Sequence, residues 1–150
     1  IREENGLTYS IYSYTSSFAD TGIFTICGSM NPNQVERVFE LIAEEIRAVK
    51  EEVFPEKLIA VTKEQMISNF IIGTESTLNR MTATGASLLL KGWVEETEEV
   101  IAKIEAVTGE DVLEMTRLIF DPEKLSYSAV GNIRGVDFKK LAERFCERIK

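Results

Sequence analysis

The sequence predicts an α+β fold, a mainly antiparallel sheet backed by helices. Leu7, Tyr9 and Ile11 alternate with Thr8, Ser10 and Tyr12, the period of a half-buried strand, and Ile23 to Cys27 repeats the β-rich pattern after a turn-rich gap. A long amphipathic helical pattern opens at Asn31-Pro32. Near the end of the chain, Leu125, Tyr127 and Ala129 alternate with polar residues, and a further amphipathic helix follows.

Each element has its own punctuation. Asn5-Gly6 reads as a helix stop, because glycine tolerates the left-handed conformation that closes many helices. A first strand is expected from Leu7 to about Tyr14, and a second over Ile23–Cys27, with Ser16 to Gly22 turning the chain between them into an antiparallel hairpin. Asn31 is placed to cap, Pro32 to occupy the first helical position and Gln34 to complete a reciprocal box. Val35, Val38, Phe39, Ile42, Ile46, Val49 and Val53 then form one stripe, with glutamates, arginines and lysines behind it.

Pro55 ends that region, and Thr62 with Gln65 is expected to open the next helix, interrupted at Gly73-Thr74. Ser76 caps a helix to Lys91, with Gly92 as terminator. Gly85 in its middle costs about 1 kcal/mol relative to alanine, which predicts another element packed closely against it. The acidic run Glu95 to Glu99 suits a helix N-terminus; metal ligation is the alternative. Thr108 caps a helix bearing Val112, Met115, Ile119 and Phe120, which Pro122 stops. A third strand is expected through Leu125, Tyr127 and Ala129, and Asp137 caps a last helix with Phe138, Leu141, Phe145 and Ile149 inward.

Composition narrows the function. A 44% hydrophobic and 28% charged chain is that of a globular protein, and no apolar run approaches the roughly 20 residues that span a bilayer, so no membrane partner is expected. The net charge of −8 argues against nucleic acid, whose phosphates need clustered Lys and Arg; it either keeps the chain in solution or favours cationic peptides. No basic-then-apolar leader is visible, and a cytoplasmic location is expected. Cys27 and Cys146 read as two buried free thiols rather than a disulfide. There is no histidine, which excludes a Ser-His or Cys-His pair and a histidine-based zinc site built from these residues alone. The chain starts without Met in what reads as mid-helix, so a piece of a longer protein, truncated on its N-terminal side, is expected.

The opening run Arg2-Glu3-Glu4-Asn5-Gly6-Leu7-Thr8-Tyr9-Ser10 resembles the signature of the C-terminal half of the pitrilysin/insulinase family of zinc metallopeptidases, which includes the mitochondrial processing peptidases. Val107-Thr108-Gly109-Glu110-Asp111-Val112 and Ala129-Val130-Gly131 are further matches, and the order of elements is similar over essentially the whole chain. The resemblance implies a processing-peptidase-like half-domain spanning residues 1–150 as one C-terminal domain. It implies that Arg2 and Tyr9, seven positions apart, reach substrate at a zinc ion held elsewhere. The family's inverted motif His-x-x-Glu-His belongs to the N-terminal half and is absent here.

On that resemblance Tyr9 donates a hydrogen bond to the developing oxyanion, and Arg2 holds a substrate carbonyl or positions Tyr9. Zinc is implied in the full enzyme and none in this chain, which alone is expected to be inactive. The implied partners are a peptide substrate and a homologous N-terminal domain or partner subunit, with a homodimer also open. Read without the resemblance, Arg2 pairs with a carboxylate at a helix end and Tyr9 is an ordinary strand aromatic. Tyr12, Tyr14 and Trp93 read as packing residues, and Glu3 and Glu4 as helix-surface charges. The rival function is a non-catalytic scaffold of the same fold, as in the core subunits of the respiratory bc1 complex. An unrelated acidic peptide-binding module is a third.

Overall fold

A computed structural model describes residues 6–150. The chain divides into two compact units, one running up to Glu52 and resuming over Glu114–Lys150, the other Val53–Leu113.

In the first unit, β1 (Thr8–Ser17) and β2 (Gly22–Met30) form an antiparallel hairpin, closed where Phe18 N donates to Thr21 O at 2.9 Å. Both strands extend beyond the alternating segments, because ladder hydrogen bonds continue through the serines and Gly22 up to the turn. The register contains one irregularity that governs the site. Thr8 pairs with Met30 and Ser10 with Ser29, so Tyr9 is an extra residue on β1, a β-bulge. The simple alternation expected through Leu7, Tyr9 and Ile11 therefore breaks at Tyr9.

Asn31 starts the next element as expected, its N donating to Gln34 Oε1 at 3.4 Å, but the first turn, Pro32–Gln34, is a tight 3-10 turn before α1 (Val35–Glu51). Most of the predicted stripe lies at the core, where Val38 and Ile46 of α1 are buried with Ala43, as are Leu141, Phe145 and Ile149 of α6 (Phe138–Ile149); Val53 falls beyond the end of α1 and is exposed. Ile26 of β2 and Phe39, Ile42 and Phe120 pack against this cluster. Phe39 meets Phe145 edge-on at 5.8 Å and Phe24 meets Phe120 at 5.2 Å, the offset geometry that aromatic quadrupoles favour. Lys50 Nζ donates to the carbonyls of Phe120 and Ile149, and Arg148 bridges Glu40 and Glu44, so polar contacts fasten α6 to α1 beside the apolar seam. Asp137 caps α6, accepting from Lys140 N at 3.1 Å.

The expected third strand does not form. Among the described residues the sheet has two strands, and Leu125–Val130 runs without ladder partners, with Val130 almost fully exposed. Alternation shows which faces a segment would offer, but a strand exists only when a neighbour takes its backbone groups.

The second unit is helical: α2 (Glu56–Glu75), α3 (Thr77–Lys91), α4 (Thr97–Ala106) and the start of α5 (Gly109–Ile119). α2 begins behind Pro55, not at Thr62. The Thr62 hydroxyl bonds back to Leu58 O at 2.8 Å, an interior use of threonine, and the helix passes through Gly73-Thr74. The limits of α3 are those expected: Ser76 Oγ accepts from Asn79 N at 3.3 Å, and Gly92 sits at φ +84° with its N on Leu88 O. At Gly85 an added Cβ meets nothing within 4 Å, so no element among the described residues packs there, against expectation. No residue of α2, α3 or α4 is buried, and Trp93 is exposed instead of packed. No helix among the described residues is long and apolar enough to cross a membrane.

Candidate functional site

The hairpin has two unlike faces. Ile26 and Phe24 of β2 point to the helices, and by the register so do Ile11, Gly28 and Met30. Thr8, paired with Met30, is buried on this side. Tyr12 pairs with Cys27 and Tyr14 with Thr25 on the opposite, open face. Odd-numbered Tyr9 would share the helix face with Ile11 if β1 were regular. The bulge reverses that: stepping from Thr8, Tyr9 falls on the open face beside Ser10, and its side chain is 71% exposed.

The open face thus carries Tyr9, Tyr12 and Tyr14 in a row. Tyr12 and Tyr14 are 57% and 47% exposed, their rings 6.1 Å apart and 24° from parallel. They are surface aromatics rather than the packing residues expected. The mismatch of parity between Tyr9 and Tyr12 in β1 was the available sign that the strand must be irregular for the three to share a face. Cys27 opposite Tyr12, through charge and hydrogen bonding, pushes the Tyr12 phenol above its ordinary value, with burial and Tyr14 adding to it. Both cysteines are unpaired, and both are half-buried rather than buried.

Arg2, with Glu3 and Glu4, lies outside the described residues, so the expected pairing of Arg2 with Tyr9 has no geometry to set beside it. Gly6, just after them, has φ +60°, the left-handed conformation expected of a corner glycine.

The described residues do not fit a zinc ion. The chain has no histidine, and among the described residues no three His, Cys, Asp or Glu side chains converge. The acidic run that could have offered ligands has another use. Glu95 pairs with Lys91 at 2.7 Å and with Lys103, which together hold its carboxyl down at about 2. Glu96 N donates to Glu99 Oε2 at 3.3 Å, starting α4. Asp111 likewise serves a helix start: its carboxylate accepts from Thr108 N and Oγ1 at 2.7 and 2.8 Å, and these bonds lower its pKa. A concavity of about 400 Å³ lies between Pro122–Tyr127 and α6, lined by Leu125, Lys139, Glu143 and Cys146; it contains none of the three tyrosines.

The first unit, an antiparallel hairpin packed on helices with one open face, is an α+β arrangement. The fold aligns with a chain of complex III2 from Candida albicans at a TM-score of 0.82, over 96% of this chain and 35% of that one, at 20% identity. The family profile described as "Peptidase M16 inactive domain" matches residues 1–66. An uncharacterized zinc protease of Bacillus subtilis, YmxG, is 36% identical over 80% of this chain and 29% of its own length. An uncharacterized zinc protease of Streptomyces coelicolor is 31% identical over 94% of this chain and 30% of its own. The chain therefore belongs to the M16 metallopeptidase family as a C-terminal domain. It spans about 30% of the length of these curated relatives.

Proposed function

We propose that this chain is the substrate-contacting C-terminal half of a zinc-dependent metalloendopeptidase, working with a homologous half that holds the metal. The observation that carries the reading is Tyr9, aimed by the bulge onto the open sheet face at the position where the family signature has its tyrosine. A bulge removes ladder bonding at one residue, and such irregularities are over-represented beside active sites, where they re-aim a side chain. The phenolic O–H is a donor suited to a carbonyl oxygen that gains negative charge as a peptide bond is attacked. One such donor is worth on the order of 3 kcal/mol of transition-state stabilisation. Arg2 is assigned to a substrate backbone carbonyl or to the positioning of Tyr9. The zinc ion is assigned to the homologous half, in the same polypeptide or a partner subunit, because the described residues here lack its donor set.

The division of labour has a direct test. The complete protein should cleave peptides in a chelator-sensitive manner, whereas residues 1–150 alone should cleave none and purify without zinc. Stoichiometric zinc in the isolated chain would overturn it. A second reading, a non-catalytic scaffold or partner subunit, draws on the likeness to a chain of a multi-subunit complex. It predicts a complete protein that cleaves no peptide and is indifferent to substitution of Tyr9.

A further inference from the structure

We propose that Tyr12 and Tyr14 form a specificity subsite for the peptide engaged by Tyr9, taking an aromatic or large aliphatic side chain three to five residues from the scissile carbonyl. The proposal rests on the peptidase reading above and adds to it the kind of substrate residue selected.

Its first support is register. The helices cover the other side of the hairpin, so packing gives no reason for two tyrosines and Ile23, itself exposed, to line the open face. Their rings lie in a near-parallel stack 6.1 Å apart, within the spacing at which a further ring or branched aliphatic group adds to an aromatic pair.

Charge supplies the second. Ladder partners of the two tyrosines are Cys27 and Thr25, and the rest of this face is serine and Ile23, so no carboxylate stands there to neutralise a cation. The chain as a whole carries −8, which repels acidic side chains. What the face offers is uncharged aromatic and aliphatic surface.

Distance sets the position. Strand residues advance about 3.3 Å each, so Tyr12 and Tyr14 lie roughly 10 and 17 Å along β1 from Tyr9. An extended peptide with the same rise covers those distances in about three and five residues.

The experiment uses the complete protein and a series of fluorogenic peptides, identical except three to five residues on either side of the cleaved bond, where Phe, Leu, Ala, Glu or Arg is placed. At one of these positions Phe and Leu should raise kcat/KM roughly tenfold over Ala, the size of one aromatic contact, and Glu should lower it. In a Tyr12→Ala/Tyr14→Ala variant the Phe-to-Ala ratio should collapse towards one, and Tyr12→Phe/Tyr14→Phe should restore it. Tyr14→Ala alone should reduce the ratio in part, which keeps the test decisive if the double variant does not fold. Tyr9→Phe should lower kcat on every peptide and leave the ratio intact. A ratio unchanged by loss of both rings, or a preference for Arg, overturns the subsite while a normal Tyr9 effect leaves the peptidase reading standing. A complete protein that cleaves none of the peptides overturns both.

Discussion

Replacing Phe145 by alanine tests the account of what holds the first unit together. Phe145 is 7% exposed and sits among Ala43 and Ile46 of α1 and Ile149 of its own helix, with Phe39 against its ring. A buried phenyl ring removes on the order of 150–200 Å² from water, about 4–5 kcal/mol at 25 cal/mol per Å², part of which an alanine retains. Loss of the edge-on pair with Phe39 adds about 1 kcal/mol, and the cavity adds more because helices fixed by Lys50 and Arg148 collapse little. The sum falls in the 3–5 kcal/mol range typical of buried Phe→Ala changes. In urea titrations followed by circular dichroism, Phe145→Ala should lose about 4 kcal/mol, and Leu89→Ala, at an 84% exposed position, should stay within about 0.5 kcal/mol of the parent. Equal, small effects would refute the placement of the core along the α1–α6 seam.

Three further outcomes follow from particular residues. Gly85→Ala should raise stability by up to about 1 kcal/mol, since the added methyl meets nothing and alanine is the better helix former. The same change at Gly92 should lower stability by about 1–2 kcal/mol because φ is +84° there; thermal melts of both variants check the opposite signs. The Glu95 carboxyl, held at about 2 against an ordinary 4.5, contributes stability above the higher value that is lost as pH falls through the lower. Its carboxyl resonance should titrate with a midpoint near 2, and the Lys91 and Lys103 pairs should persist at pH 4; a midpoint near 4.5 would show that the clasp does not form in solution.

How legible each part was in the sequence depended on how local its cause is. The limits of α3 were readable because Ser76 and Gly92 act within one turn of themselves. The start of α2 was misread because threonine has two uses at helices, and Thr62 takes the interior one while Pro55 sets the boundary. Leu125 to Ala129 alternates like a strand, yet pairing depends on residues distant in sequence, and it has no neighbour among those described. Gly85 misled for a related reason: the cost of a mid-helix glycine is visible in sequence, whereas empty space around it is not.

At the site, Tyr9 was singled out by its place in a motif, and the bulge that sets it on the open face was not visible there. A one-residue bulge moves Tyr9 from the face of Ile11 to that of Tyr12 and Tyr14, whose own exposure follows from the regular alternation after it. Arg2, the other half of the expected pair, rests on the motif, since it lies outside the described residues.

The most direct test of Tyr9 as a transition-state donor is steady-state kinetics of Tyr9→Phe in the complete protein, a change that removes one hydroxyl and keeps the ring. The donor role predicts kcat lower by on the order of a hundredfold with KM altered by no more than about twofold. A kcat equal to that of the parent would contradict it.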